Sequence, residues 1–433
     1  MTARPPDART VALDLLAAVL RRKRPLDEAL ADHPGFQRLA TQDRAFARHL
    51  TATVLRRLGH IDAVLADLLD RPLKGGARTV HDVLRLGAAQ ILFMNTPAHA
   101  AVSTAVDLAA RRGQGRLKGL VNGVLRRLDR EGAAVAADPE APRLNTPDWL
   151  WQAWTRAYGA DTARRIAEAH LEEPPLHITV GNGEPEAWAE RLGAEVLPTG
   201  SLCRRGGGDV TGLAGFAEGA WWVQDAAAAL PARLLGEVAG RRIADLCAAP
   251  GGKTLQLAAA GARVTAVDRS EARLRRLRRN LERTGLEAAT IQADAASWTA
   301  GSDQFPGVLL DAPCSATGTL RRHPDVARLK TAADVAKLAH AQARLLAAAA
   351  ARTAAGGTLV YCVCSLQPEE GPAVVEAFLD GHDGFEREAI GGHEVPGLPE
   401  AVTAAGDLRT LPCQWPAAGG LDGFYAARLR RRT

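Results

Sequence analysis

The chain has 433 residues, 47% hydrophobic and 24% charged, a length that suggests about three domains and a composition that excludes a mainly disordered or fibrous protein. Its positive charge is unevenly spread: residues 1–130 carry 22 basic and 12 acidic side chains, and residues 131–433 carry 32 and 37. A basic segment joined to a mildly acidic one fits a polyanion-binding module attached to a different activity.

The first apolar stretch, Val11 to Leu20, is too short for a signal peptide or a membrane span, and its large side chains form the stripe of an amphipathic helix. From Asp7 to about Arg130 the pattern predicts short amphipathic helices packed as a bundle. Breaks are expected at Pro25, at Pro34, at Arg71-Pro72 with Gly75-Gly76, and at Thr96-Pro97. The last of these helices carries Lys118, Arg126 and Arg127, candidate contacts for a nucleic acid. Residues 131–175 read as a linker and a connecting helix, and residues 176–220 as a small α+β subdomain with one strand over 176–180. From residue 221 to 433, apolar strands expected at 243–247, 263–267, 289–293, 307–310 and 358–364 alternate with helices, which predicts a doubly wound, largely parallel α/β sheet.

The most specific motif is Asp245-Leu-Cys-Ala-Ala-Pro-Gly-Gly-Lys-Thr254, a glycine turn between a strand and a helix. Small residues there let a ligand approach the backbone, and the helix start offers unpaired N–H groups. Asp268 ends the next strand, where a carboxylate can accept both hydroxyls of a ribose, and Asp294 and Asp311 end two more. Any one of these acids could be an ordinary helix cap; together with the turn they mark a ligand site. The G-x-G-x-x-G spacing and the Walker pattern are both absent, which argues against NAD or a nucleoside triphosphate. An acidic site without a phosphate loop suits S-adenosyl-L-methionine, whose sulfonium is a cation.

Two cysteines stand at strand ends facing the same cleft, Cys314 in Asp311-Ala-Pro-Cys-Ser315 and Cys364 in Tyr361-Cys-Val-Cys-Ser365. Carbon 5 of cytosine becomes nucleophilic only after a thiolate adds to carbon 6, and the C5 proton and the enzyme thiolate must then leave, so two cysteines beside one methyl donor have a chemical reason. Cys247 and Cys362 read better as small core residues, and no Cys/His set has zinc spacing, so no metal is expected. Six cysteines at 203, 247, 314, 362, 364 and 413 are too sparse for a secreted disulfide scaffold, and a cytoplasmic protein is expected.

These residues resemble the Nop/Sun family of S-adenosylmethionine-dependent RNA cytosine-5 methyltransferases, in its bacterial Sun/RsmB branch. The resemblance runs through Trp222-Val-Gln-Asp-Ala226, the turn at 245–254, Asp268, Asp294, Asp311 to Gly318 with Arg321-Arg-His-Pro-Asp325, Tyr361 to Ser365, and Asp422-Gly-Phe-Tyr-Ala426. It implies that Cys364 is the nucleophile and that Cys314 releases the product. It further implies that Cys247, Ala248, Ala249, Pro250, Gly251, Gly252, Lys253, Asp268, Asp294 and Asp311 contact the cofactor, and that Lys253 and Asp311 also reach the cytosine. It implies a NusB-like helical RNA-binding domain over 1–130 and, as substrate, 16S ribosomal RNA before subunit assembly, at cytosine 967. Val363 stands where this family usually has threonine before the nucleophile.

Arg321, Arg322 and His323 follow the Cys314 motif and are further candidate RNA contacts, ahead of the Arg273–Arg279 run, which spans both sides of one helix. No membrane association is expected, and the sequence has no self-complementary signature, so a monomer is expected. Two other readings remain: a non-catalytic RNA-binding factor for ribosome assembly or transcription, and an oxidoreductase, which the missing dinucleotide fingerprint weakens.

Overall fold

The computed structural model describes residues 7–73, 77–299 and 304–433, so the expected break at Gly75-Gly76 lies outside the described residues. The chain divides into two compact units, one reaching Glu172 and taking in Leu320–Lys330, the other formed by Glu173–Thr319 and Thr331–Thr433. One short segment of the later chain, Leu320–Lys330, is thus packed among the helices of the first unit.

The first unit is helical, with Ala8–Leu20, Thr41–Arg56, Leu58–Leu68, Arg78–Phe93, Ala98–Arg111 and Lys118–Ala136 as its longer helices up to residue 136. Asp7 caps the first by accepting from the backbone N–H of Arg9, and Pro25 and Pro34 open the two short helices that follow. The stripes legible in the sequence meet in one core: Leu15, Leu16, Leu50, Val54, Ile61, Leu65, Leu84 and Leu125 are all buried. Each such side chain contributes about 1.5–3 kcal/mol by leaving water. The Leu320–Lys330 segment is tied into this unit by Asp325, whose carboxylate accepts from the Leu26 N–H at 2.9 Å, and by Arg328, which donates to the Asn145 carbonyl at 3.0 Å.

The second unit contains two sheets. The smaller joins β1 (Leu176–Val180), β2 (Glu195–Val196), β3 (Leu202–Arg204) and β4 (Trp221–Val223) in the antiparallel order β2-β3-β1-β4. Trp221–Val223, expected to open the larger α/β domain, instead pairs with β1, because Trp221 and Trp222 are both buried and need cover on both faces of a strand.

The larger sheet holds β5 (Arg242–Leu246), β6 (Arg263–Asp268), β7 (Ala289–Gln292), β8 (Phe305–Asp311), β9 (Thr353–Val363), β10 (Phe385–Arg387), β11 (Leu408–Thr410) and β12 (Phe424–Arg431). Its order is β10-β12-β9-β8-β5-β6-β7, with β11 on β12. Strands β5 to β9 run parallel, and β10, β11 and β12 pair antiparallel at the other end. Val308–Leu310 and Leu359–Val363 are continuous apolar runs with no exposed surface, as strands covered on both faces must be. After β7 the chain returns to the opposite side of β5 to form β8. Open α/β sheets bind ligands beyond the carboxyl ends of the strands where the order reverses in this way.

Candidate active site

The glycine turn leaves β5 at Cys247, whose backbone is left-handed with φ +60°, a conformation that costs a non-glycine residue about 1–2 kcal/mol. Gly251, at φ +109°, then starts the helix Gly252–Ala259; a Cβ there would stand 2.9 Å from Leu277 Cγ, so only glycine fits. Ahead of the turn, Asp245 has no exposed surface, and its Oδ2 accepts from Thr254 Oγ1 at 2.5 Å. Its Oδ1 has no hydrogen-bond partner among the described residues. Burial, reinforced by the charges of Asp311 and Asp268 and only partly relieved by Thr254, pushes its carboxyl up to about 7.

Parallel pairing brings the other acids to the same edge. Asp268 is buried and accepts from the N–H groups of Ala249 at 3.2 Å and Ser270 at 2.9 Å, with Arg273 Nη1 3.4 Å away. Asp294 lies two residues beyond β7 on the surface, where its Oδ1 accepts from the Ala296 N–H. Asp311 ends β8 and receives Lys253 Nζ at 2.8 Å. Burial alone would lower the Lys253 pKa, but the Asp311 charge and hydrogen bond raise it instead, so the ammonium is retained. That ammonium also stands 4.8 Å from the centre of the Phe424 ring.

The two cysteines converge. Cys364 is the first residue past β9, Cys314 lies three residues past β8, and their sulfur atoms are 3.4 Å apart. The hydrogen bond to Cys364, burial and the Cys364 charge together hold the Cys314 thiol well above the usual range. Cys314 therefore keeps its proton. The cysteines read as core residues behave differently: Cys362 is fully buried and donates to Asp311 Oδ1 at 3.6 Å, its thiol raised by that burial and by the Asp311 charge, and burial pushes Cys247 up to about 12. Val363 is buried in the apolar face of β9, opposite Tyr425. Among the described residues no group of three or more His, Cys, Asp or Glu could hold a metal ion.

Sequence reasoning missed Glu370, Gln342 and the Ser315, Thr317 and Ser365 hydroxyls, which form one buried hydrogen-bonded cluster behind the cysteines. The available signal was that each cysteine is followed by a serine. It also missed the close approach of Gly318 to Gly423, where the Gly423 N–H donates to the Gly318 carbonyl at 2.8 Å and a Cβ on Gly318 would meet Gly423 O at 1.9 Å. That close approach accounts for the glycines of two separate motifs.

Of the candidate RNA contacts, Lys118, Arg126 and Arg127 are exposed on Lys118–Ala136. Arg322 is exposed and His323 half-buried, 3.6 Å from Asp27, whereas Arg321 is only 1% exposed and its carbonyl accepts from Arg56.

A family model described as 16S rRNA methyltransferase RsmB/F matches residues 232–430, and the NusB family matches residues 6–130. The ribosomal RNA small subunit methyltransferase B of Klebsiella pneumoniae is 35% identical over 98% of both chains. The chain belongs to this rRNA methyltransferase family. The enzyme of the same name from Vibrio cholerae is 38% identical over 92% of this chain and 91% of its own. In fold, the methyltransferase is similar to the crystal structure of PH0851 (TM-score 0.77, 22% identity, all of both chains). It is also similar to NSun6 from Pyrococcus horikoshii with SFG (TM-score 0.57, 21% identity, 66% of this chain and 98% of that one). The enzyme is an S-adenosylmethionine-dependent rRNA methyltransferase with a helical NusB domain and a Rossmann-like catalytic domain. The readings as a non-catalytic binding factor or an oxidoreductase are set aside by these relationships. No helix among the described residues is long and apolar enough to cross a membrane.

Proposed function

We propose that the enzyme methylates carbon 5 of a cytosine in 16S ribosomal RNA, cytosine 967, through a covalent bond between Cys364 Sγ and carbon 6. The observation that carries this reading is the 3.4 Å separation of the Cys314 and Cys364 sulfur atoms beside the acidic edge of the sheet. S-adenosyl-L-methionine fits that edge: its amine and ribose hydroxyls match a buried carboxylate oxygen without a partner on Asp245 and the strand-end acids Asp268, Asp294 and Asp311, and its cation suits their charge. The backbone from Cys247 to Gly252 allows close approach, as the absence of room for a Cβ at Gly251 indicates. When bound, the cofactor supplies an electrophilic methyl group.

The chain's own residues do the rest. Cys364 adds to carbon 6, which makes carbon 5 electron-rich. Asp311 accepts from the exocyclic amine of the cytosine, while the Lys253 ammonium offsets the negative charge that addition places on the ring. Cys314, having first released its own proton to solvent, then takes the C5 proton as a thiolate, and the electrons of the C5–H bond return to form the C5–C6 double bond as Cys364 leaves as a thiolate. Two causes that raise the Cys314 pKa, the hydrogen bond and the charge of Cys364, vanish once Cys364 is bonded to carbon, so Cys314 becomes easier to deprotonate when a base is required.

The target base must be unstacked to enter, which favours a single-stranded loop of free 16S RNA in the cytoplasm. Lys118, Arg126 and Arg127 offer exposed charge for its phosphates, with Arg322 and His323 as a second set; the burial of Arg321 removes its guanidinium from that role. One chain carries both thiols and the acids, so a monomer suffices. The reading is tested by digesting protein-free 16S RNA after incubation with enzyme and cofactor. 5-Methylcytidine at one position with wild type and none with Cys364→Ala is expected; equal yield with the variant contradicts it.

A further inference from the structure

Each cysteine of the pair is followed by a serine, and both serine hydroxyls donate to the same oxygen, Oε2 of Glu370. Its other oxygen, Oε1, accepts from the Ser315 N–H at 2.8 Å and from Gln342 Nε2 at 3.2 Å. Four donors thus converge on one carboxylate that has no exposed surface and no ion-pair partner among the described residues. Gln342 also donates to the Pro313 carbonyl at 2.9 Å, just before Cys314, and the Tyr361 hydroxyl on β9 donates to the Glu370 carbonyl at 2.5 Å. Thr317 closes the cluster by contacting Ser365 Oγ at 3.3 Å and accepting from the Leu366 N–H at 3.0 Å.

We propose that Glu370 is the positioning residue of the cysteine pair: it holds the loop after β8 and the loop after β9 together so that Cys314 and Cys364 meet. The proposal rests on the cysteine chemistry given above. Glu370 makes no hydrogen bond to either sulfur or to any residue of the 247–253 turn; it holds the pair through the neighbouring serines and through Gln342, while its charge also helps to raise the Cys314 thiol. A buried carboxylate without a cation is an expensive tie, and a neutral amide would serve if fold support were the only requirement. What the carboxylate supplies is acceptors alone. A glutamine would place an NH2 group against two hydroxyls already engaged with one another at 3.1 Å, one of which also accepts from the Gln367 N–H.

The test is the rate at which diamide couples Cys314 to Cys364 in the full chain, read by mass spectrometry of the linked peptides. The two thiols lose two protons and two electrons, diamide takes them up to become its hydrazine, and the S–S bond forms. Wild type should link readily. Glu370→Gln should link about tenfold more slowly, with a similar loss in single-turnover methyl transfer, because ångström-scale misplacement of reacting groups costs rate on that scale. Cofactor affinity by calorimetry and melting temperature should stay close to wild type. Ser365→Ala, which keeps the carboxylate and removes one donor, should show smaller losses in both rates. Unchanged linking in Glu370→Gln, or linking that falls only together with cofactor affinity and melting temperature, would overturn the assignment. Linking needs neither RNA nor cofactor. A wild type that links fast but methylates nothing would therefore contradict the proposed function, while the Glu370 variants would still report on positioning.

Discussion

The 2.5 Å hydrogen bond from Thr254 to Asp245 fixes one carboxylate oxygen and leaves the other without a partner in a fully buried place. Its elevated pKa gives a pH signature. Below about pH 4 the group is protonated in folded and unfolded chains alike. From there to about pH 7 the folded chain holds a proton that the unfolded chain, near the ordinary value of 3.8, has released. Stability due to this residue therefore falls by about 1.4 kcal/mol per pH unit across the window and is constant above it. Denaturation of cofactor-free wild type and Asp245→Asn from pH 4 to 8 should show wild type losing ground to the variant up to pH 7; parallel curves would refute the burial argument. At this scale the placement of Asp268, Asp311, Cys314 and Cys364 at or just past strand ends was legible in the sequence, because an acid or a thiol there closes an apolar run. Glu370 was illegible because its donors Gln342 and Ser315 lie 28 and 55 positions away, and a glutamate before a helix looks like any surface acid.

Among elements, the parallel strands were readable from their apolar runs, and the turn after β5 from its glycines. Strand β12 was not read, although Phe424 to Ala427 is buried, because Arg428, Arg430 and Arg431 give its second half the look of a polar tail. Its antiparallel pairing with β9 from Tyr425↔Val363 to Arg430↔Thr358 is a non-local choice that no periodicity announces. This pairing brings Gly423 against Gly318. Gly318→Ala would drive a methyl into the Gly423 carbonyl, backbone against which little can move, and should cost about 2 kcal/mol or more in a denaturant titration. Gly423→Ala meets the Leu366 side chain at 2.5 Å and the Gly318 Cα at 3.1 Å, a wider backbone gap than the 1.9 Å at Gly318, and should cost less. The reverse order would show that the close approach is not what selects these glycines.

Over the whole molecule, the basic excess of residues 1–130 was legible by counting, and the exposed Lys118, Arg126 and Arg127 lie within it. The joining of Leu320–Lys330 to the helical unit was not, since it depends on pairings such as Asp325 with Leu26, 299 residues apart. Replacing Lys118, Arg126 and Arg127 by alanine should lower the slope of log affinity against log salt for 16S RNA by about 2, near 0.7 for each phosphate that is no longer neutralised, with cofactor affinity unchanged. An unchanged slope would place the RNA elsewhere. The division of labour between the two thiols is tested most directly by incubating Cys314→Ala with 16S RNA and cofactor and resolving the products on a denaturing gel. A stable RNA–protein adduct with Cys314→Ala, absent from wild type and from the Cys314→Ala/Cys364→Ala double variant, is the result expected. An adduct that survives in the double variant, or none with Cys314→Ala while methylation continues, would contradict Cys364 as nucleophile and Cys314 as the group that releases the product.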